Sequence, residues 1–205
     1  MDTMSLHIQS LSAAELEDEL VAFTHLLKDA VDSGASLGFL APLELDVARA
    51  YWASLRGELR KGTRLLLAAR AADGRIVGTG QLSLATMPSA RHRAELQKLL
   101  VDSRVRGTGI GRQLMEALHA EALAHGRSLI LLGTRGGGRP EAFYQRLGYR
   151  VAGVIPGYTT DASGRRYDST TYYLDLASSA RPPRAAAIAM EQTLDRAGRL
   201  AHVPH

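Results

Sequence analysis

Hydrophobic positions recur along this chain with two different periods, and the switches between them mark its elements. Residues 6–9, Leu-His-Ile-Gln, alternate and predict a first strand. From Ser12 the period becomes helical, with Leu16, Leu20, Phe23, Leu27 and Val31 on one stripe. Ser12 followed three residues later by Glu15 is a capping-box start, and Ser33-Gly34 predicts the end of that helix. The loop over residues 34–42 is apolar where loops are usually polar. Its Leu37, Phe39 and Leu40 are expected either in the core or in the wall of a pocket. A second helix is predicted over 44–60, turning Leu45, Ala48, Trp52 and Leu55 or Leu59 inward.

The middle of the chain reads as strands. Residues 63–71 and 76–86 are strand-like runs, and Asp73-Gly74 between them is a strong hairpin signal. After Pro88 and Arg91-His92-Arg93, residues 94–101 return as the third strand of an antiparallel meander. A helix with Ile110, Leu114, Ala117 and Leu118 on one face follows and stops at Gly126. The continuous run Leu129-Ile130-Leu131-Leu132 predicts a strand buried on both faces, reached by a parallel crossover. Gly136-Gly137-Gly138 delivers Pro140 to a short helix over 141–147, closed by Gly148. The last pair of strands is expected over 149–155 and 170–176, with a loop through Pro156-Gly157-Tyr158 and Ser163-Gly164. At Ala177 the composition shifts to Ala, Arg and Pro. Residues 1–176 therefore read as one domain and 177–205 as a tail with a weak helical pattern over 188–200.

Composition narrows the function classes. A chain of 205 residues fits one domain with a proper core. No apolar run approaches the ~20 residues that span a bilayer, and no basic segment leads into an apolar one at the start. No membrane partner is expected, and a cytoplasmic location is. The absence of cysteine removes disulfides, thiolate metal ligands and a Cys nucleophile, and the histidines form no metal-like cluster, so no metal is expected. A net charge of +4 with arginines spread along the chain and few aromatics does not suggest nucleic-acid binding.

The chemistry concentrates in Arg106-Gly107-Thr108-Gly109-Ile110-Gly111-Arg112, a glycine turn between a strand and a helix. The first turn of a helix has backbone N–H groups without intrahelical partners and about half a positive charge, and glycine lets a phosphate come close. Two common phosphate motifs are excluded. A G-x-G-x-x-G fingerprint would need glycine where Arg112 stands, and no G-x-x-x-x-G-K-[ST] run occurs. The turn instead matches [QR]-x-x-G-x-[GA], the pyrophosphate grip of the GNAT acetyltransferase superfamily. Glu141-Ala-Phe-Tyr144-Gln-Arg-Leu-Gly148-Tyr149 is similar to a second motif of that superfamily. Within it the chain most resembles the tabtoxin-resistance acetyltransferase type, over about residues 4–176. The resembling pieces are Gly34-Ala-Ser-x-Gly-Phe, Arg93-Ala-Glu95-x-Gln-Lys98-Leu, the glycine turn, Glu141-Ala-Phe-Tyr144 and Pro156-Gly157-Tyr158.

That resemblance implies an α/β (α+β) GNAT fold: a mixed sheet of about seven strands, helices on both faces, and a splayed strand pair that binds acyl-CoA. It implies acetyl transfer from acetyl-CoA to an amine of a small molecule, amino-acid-like or of antibiotic or toxin type, by direct attack. The backbone of Arg106, Gly107, Thr108, Gly109, Ile110 and Gly111 would hold the pyrophosphate, with the Arg106 and Arg112 side chains near it. Main chain of Leu99, Leu100 and Val101 would meet the pantetheine and thioester, and Glu141 would approach the cofactor. Tyr144 would protonate the departing thiolate, and Glu95 would take the proton of the acceptor amine. Asp32, Phe39 and Tyr158 are candidates for contact with the acceptor. The chain departs from the pattern at Gly133: Leu132-Gly133-Thr134 stands where those relatives read Leu-Asp-Thr. The lost carboxylate gives a foothold to an alternative, a non-catalytic acyl-CoA-binding sensor or partner-binding module. A homodimer is left open.

Overall fold

The computed structural model of the protein describes residues 6–177. Seven strands form one sheet: β1 (His7–Ser10), β2 (Arg64–Arg70), β3 (Ile76–Leu84), β4 (Arg93–Val101), β5 (Leu129–Arg135), β6 (Arg150–Thr160) and β7 (Arg166–Asp175). Their order across the sheet is β1-β2-β3-β4-β5-β7-β6, and every neighbouring pair is antiparallel except β4 and β5. The predicted meander through residues 63–101 and the parallel crossover after it are both present. Six helices cover the faces: α1 (Ala13–Asp18), α2 (Leu20–Asp32), α3 (Leu45–Ser54), α4 (Arg56–Arg60), α5 (Ile110–Ala124) and α6 (Arg139–Arg146). No helix among the described residues is long and apolar enough to cross a membrane.

The period of two along β2 explains how one sheet organises two cores. Leu65 and Leu67 face α5, where they join Leu82, Leu114, Leu118, Ile130 and Tyr172. Leu66 and Ala68 face the other way, among Leu16, Phe23, Leu27 and Trp52 of the first helices. Burial of each leucine, isoleucine or phenylalanine among them contributes roughly 1.5–3 kcal/mol. Phe23 and Trp52 fix the packing of α2 on α3, with ring centroids 4.7 Å apart.

The capping box is formed: Ser12 Oγ accepts from Glu15 N, and the Glu15 carboxylate accepts from Ser12 N. The helix it starts is not continuous. It breaks at Glu19, whose carboxylate is drawn to Arg70 on β2 (2.8 Å), and the second predicted helix breaks likewise at Leu55. Leu45 is exposed rather than inward. Leu43 takes the buried place, because Asp32 accepts from its N–H (2.8 Å) and Lys28 donates to its carbonyl (2.7 Å). β5 is not buried on both faces: Ile130 and Leu132 are buried, whereas Leu129 and Leu131 are half-open and Gly133 is exposed. The strands enclosed on both sides are β2 and β3.

The last two strands are longer than the sequence pattern predicts. Pro156-Gly157-Tyr158 lies within β6 and not in a loop; a register shift between Ile155 and Thr159 absorbs the proline, which has no N–H for the ladder. The turn falls at 161–165 instead, where Asp161 accepts from the N–H groups of Ser163 and Arg165. The tail expected beyond residue 177, with its helical pattern, lies outside the described residues.

Gly78 sets the distance between the sheet and the start of α5. A Cβ there would lie 3.0 Å from Leu114 Cδ1, 3.1 Å from Ile110 Cγ2 and 3.1 Å from the Leu100 carbonyl oxygen. The last is backbone and yields little. Gly78→Val should therefore destabilise the fold by ~1–3 kcal/mol through overpacking, read as a lower urea midpoint at unchanged slope.

Candidate active site

The site begins where the parallel pair ends. β4 and β5 are paired only at Arg93/Leu129, Ala94/Ile130 and Glu95/Leu131, although β4 continues to Val101 and β5 to Arg135. Beyond those pairs the facing edges have no ladder partner in each other, and the strands part. On its other side β4 stays paired with β3, but the register steps from Gln81/Gln97 to Thr79/Leu100, one extra residue on β4. Lys98 in this bulge has φ +47°.

Two cavities occupy the gap. The larger, about 640 Å³, is walled by the 36–38 loop, β4 with Glu95 and Lys98, β5 with Leu131 and Gly133, and Ile155 and Tyr158 of β6. The smaller, about 300 Å³, lies between Leu99, the 34–37 loop and the start of α6 with Pro140 and Tyr144. They abut and share Leu37, Leu96, Lys98, Leu132, Gly133 and Thr134 among their walls.

The glycine turn lines neither cavity; it lies at the end of β4, leading into α5. Gly107 and Gly109 have φ +84° and +91°, and a Cβ on either would meet nothing within 4 Å, so glycine is required by backbone conformation and not by crowding. No side chain caps α5. Its first-turn N–H groups have no intrahelical partner. The two arginines are arranged otherwise than expected. Arg106 is turned back, donating to the Val101 carbonyl (3.0 Å) and to Ser33 Oγ (2.8 Å), and Arg112 pairs with Glu116 (2.9 Å).

Tyr144 sits on α6 with its ring against Phe143, Tyr149 and Tyr172. Burial pushes its phenol up to about 12, so it is fully protonated at neutral pH. Glu141, one turn earlier, points elsewhere. Its carboxylate accepts from Gly137 N (2.9 Å), Thr170 Oγ1 (2.7 Å) and, at longer range, Tyr172 Oη (3.4 Å). Those bonds hold the carboxyl below its ordinary range and tie the 136–138 loop to β7.

Glu95 is exposed and opens into the larger cavity, opposite Leu131 and on the same face as Gly133. It is not set among apolar neighbours; Lys98 lies in the same wall and feels its charge. Tyr158 forms the rim of this cavity, 66% exposed. Asp32 does not reach it. Its carboxylate is engaged by Lys28 and the Leu43 N–H, and it lines a separate cleft between α2 and the β2–β3 turn. Phe39 stands behind the wall, edge-on to Tyr51 and near Lys98. Leu37 and Gly38 supply the wall from that loop.

Lys98 has the position in this site for which the sequence pattern assigns no role. The signal was present: in strict alternation Lys98 falls in phase with the buried Leu96 and Leu100, a charge on the core face. Behind it, buried Arg64 donates to Glu58 (2.7 Å), Gln81 (3.0 Å) and Gln97 (2.8 Å), and Tyr51 also donates to Gln81 (3.1 Å).

Residues 61–151 match the sequence profile of the Acetyltransferase (GNAT) domain. Over that segment the chain is similar to the GNAT acetyltransferases. The matched segment runs from the start of β2 to the start of β6 and contains the meander, the glycine turn, the parting strands and α6. Solved structures with the same fold extend the likeness. An N-acetyltransferase from Staphylococcus aureus aligns with 20% identity over 84% of this chain and 99% of its own, at a TM-score of 0.68. A Salmonella typhimurium protein solved with its cofactor acetyl-CoA aligns with 20% identity over 84% and 94%, at 0.66. A ribosomal-protein-alanine N-acetyltransferase from Brucella melitensis aligns with 25% identity over 83% and 99%, at 0.65.

The role of Glu141 in the fold can be read from pH. A carboxyl whose folded pKa is depressed contributes stability that is present above its unfolded value, near ~4.3, and is lost as pH falls through the folded one. Glu141→Gln should lower the melting temperature at pH 7, and its deficit from wild type should shrink steadily between about pH 5 and pH 3. Thermal denaturation of both proteins across that range is the measurement.

Proposed function

We propose that this enzyme transfers the acetyl group of acetyl-CoA to an amine of a small, amino-acid-like molecule. The observation that carries this reading is the meeting of the two cavities where β4 and β5 part, with Tyr144 on one side and Glu95 on the other. Acetyl-CoA bound there supplies an acyl group activated by a thiolate leaving group. The Salmonella neighbour that holds acetyl-CoA and the resemblance to the tabtoxin-resistance type support the choice of donor and of a small acceptor.

The chain's own groups divide the work. First-turn N–H groups of α5, with the turn at Gly107 and Gly109, hold the pyrophosphate. The unpaired edge of β4 at Leu99, Leu100 and Val101 pairs with the pantetheine arm as a neighbouring strand would, and one of these N–H groups polarises the thioester carbonyl. Glu95 takes a proton from the acceptor ammonium, and the freed amine forms the new C–N bond while the C–S bond breaks. Tyr144 donates to the departing sulfur, and the second proton lost by the amine restores the balance. The larger cavity, about 640 Å³, suits a small acceptor. A screen of small amines for CoA release should find turnover; acetyl-CoA binding without turnover on any amine would favour a sensor instead.

The donor side is tested at Gly111, because Gly109 with φ +91° would strain under any side chain. Gly111 has space, its nearest neighbour to a new Cβ being Phe143 at 3.6 Å. Gly111→Glu puts a carboxylate in the first turn of α5, where it favours the helix and repels the pyrophosphate. Calorimetry should show acetyl-CoA affinity lower by ~10-fold or more with thermal stability retained.

The acceptor side is tested at Glu95. Glu95→Gln should lower kcat/KM at neutral pH by ~10²-fold and alter the acidic limb of the pH–rate profile. Gly133 lies two residues beyond the Glu95 partner Leu131 on the same face, and a Cβ there would meet only Ser169 Oγ at 3.6 Å. Gly133→Asp in the Glu95→Gln background should therefore recover part of the lost rate. A wild-type profile in Glu95→Gln would remove the carboxylate from the mechanism.

A further inference from the structure

Four charged side chains line the larger cavity, Arg93, Glu95, Lys98 and Arg135. None of them belongs to an ion pair among the described residues. The separate cleft between α2 and the β2–β3 turn is different: there Glu19 pairs with Arg70, Asp32 with Lys28, Asp73 with Arg75 and Asp102 with Arg104. Every lysine and arginine of that cleft is paired with a carboxylate. The acceptor cavity holds three uncompensated cations against one carboxylate.

Lys98 is the most constrained of the three. Its backbone sits in the left-handed region, which costs a residue with a side chain about 1–2 kcal/mol, and the bulge that imposes it re-aims the side chain. Nζ donates to the Leu37 carbonyl (2.6 Å) and lies 5.4 Å and 5.2 Å from the ring centroids of Phe39 and Tyr51. Burial, and then the Arg64 guanidinium behind it, hold the ammonium below its ordinary value, while Glu95 acts in the opposite direction. An ammonium has three donors, and Leu37 takes one of them. A cation that is partly desolvated, repelled from behind and walled by aromatic rings is completed by an anion arriving from the cavity.

We infer that Lys98 recognises an anionic group of the acceptor, so that the acceptor is an amine that also carries a carboxylate or a phosphonate-type oxyanion. The inference rests on the proposed transfer to a small molecule and names its substrate class. Glu95 and Lys98 are three residues apart on one strand, a backbone distance of about 10 Å before both side chains lean into the cavity. One small molecule spans that gap with its amine at Glu95 and its anion at Lys98. Arg93 and Arg135 add to the positive potential and disfavour polycations such as polyamines and aminoglycosides.

The test uses matched pairs. α- and ω-amino acids and 2-aminoethylphosphonate are compared with the corresponding neutral amino amides and alcohols and with spermidine. CoA release is followed with wild type, Lys98→Met and Lys98→Arg, and binding to the CoA-loaded enzyme is measured by calorimetry. The wild type should prefer anionic members over their neutral partners by ~10-fold or more in kcat/KM, as expected for a charge-assisted contact. Lys98→Met keeps the aliphatic stem and should reduce that preference to within about 3-fold, with acetyl-CoA affinity unchanged, and Lys98→Arg should retain most of it. If Lys98 only pins the 34–42 loop through Leu37, Lys98→Met slows all acceptors alike and the preference survives, which overturns the proposal. Preference for neutral or polycationic members, or binding of no member, overturns it too. Anionic members that bind in a Lys98-dependent way without CoA release would keep the anion site and overturn the acetyl transfer.

Discussion

Everything in this structure that bears on chemistry depends on the parallel pair of β4 and β5 ending after three residue pairs. Each strand keeps its other partner: β4 follows β3 and β5 follows β7 along its whole length. The pair therefore parts between two edges that are each firmly held. The bulge at Lys98 sharpens the parting, because an extra residue bends its strand and adds local twist. An unpaired backbone group that is also buried costs about 1–3 kcal/mol, so such a gap persists only where water or a ligand can supply the missing bonds. An extended arm with amide groups of its own fits that requirement better than a compact ligand does.

The helices on the α5 face serve the same gap. α5 can begin beside the end of β4 because Gly78 and Gly80 on β3 leave room for Leu114 and Leu118 beneath it. Its first turn is bare of side-chain caps and is preceded by two residues at positive φ, so the end of the gap meets the positive end of a helix dipole. α6 closes the other side with Phe143 and Tyr144, and Glu141 ties the loop before it to β7. The 34–38 loop is held from both parted strands at once. Lys98 of β4 donates to Leu37, and Arg135 of β5 reaches the Gly34 carbonyl at 3.4 Å.

Local chemistry made much of this legible in the sequence, and long-range chemistry explains the rest. The capping box at Ser12, the Asp73-Gly74 hairpin, the glycine turn and the end of α5 at Gly126 are decided by a few adjacent residues, and all are present. The breaks at Glu19 and Leu55 and the burial of Leu43 in place of Leu45 depend on partners such as Arg70 and Asp32 that only the fold brings near. Around the site, Glu95, Leu99, Tyr144 and Tyr158 fall on cavity walls, because strand and helix positions carry them there. Asp32 and the Arg106 side chain do not. Both are long-armed or terminal groups that found bonds at Leu43, Val101 and Ser33, and nothing in their spacing reveals those bonds.

The environment of Tyr144 limits what it contributes to the proposed reaction. A phenol raised to about 12 by burial faces a leaving thiol of about 8.5, so complete proton transfer is uphill by ~3.5 pKa units, or ~5 kcal/mol, in the resting site. What the phenol offers at that energy is a strong hydrogen bond to sulfur while charge builds there. Even when the bond to carbon has broken and the sulfur reaches its full basicity, the transfer itself stays uphill, so Tyr144 acts through that hydrogen bond. The acceptor side is under the opposite constraint, since an amine near pKa ~10 must lose its proton before any bond forms. With Gly133 lacking a carboxylate, that first step would fall, in the proposed scheme, to Glu95 and to how the charges around it bias the ammonium. In the proposed reaction the cations in the same cavity wall, Lys98 foremost, would therefore act on that deprotonation as well as on the choice of acceptor.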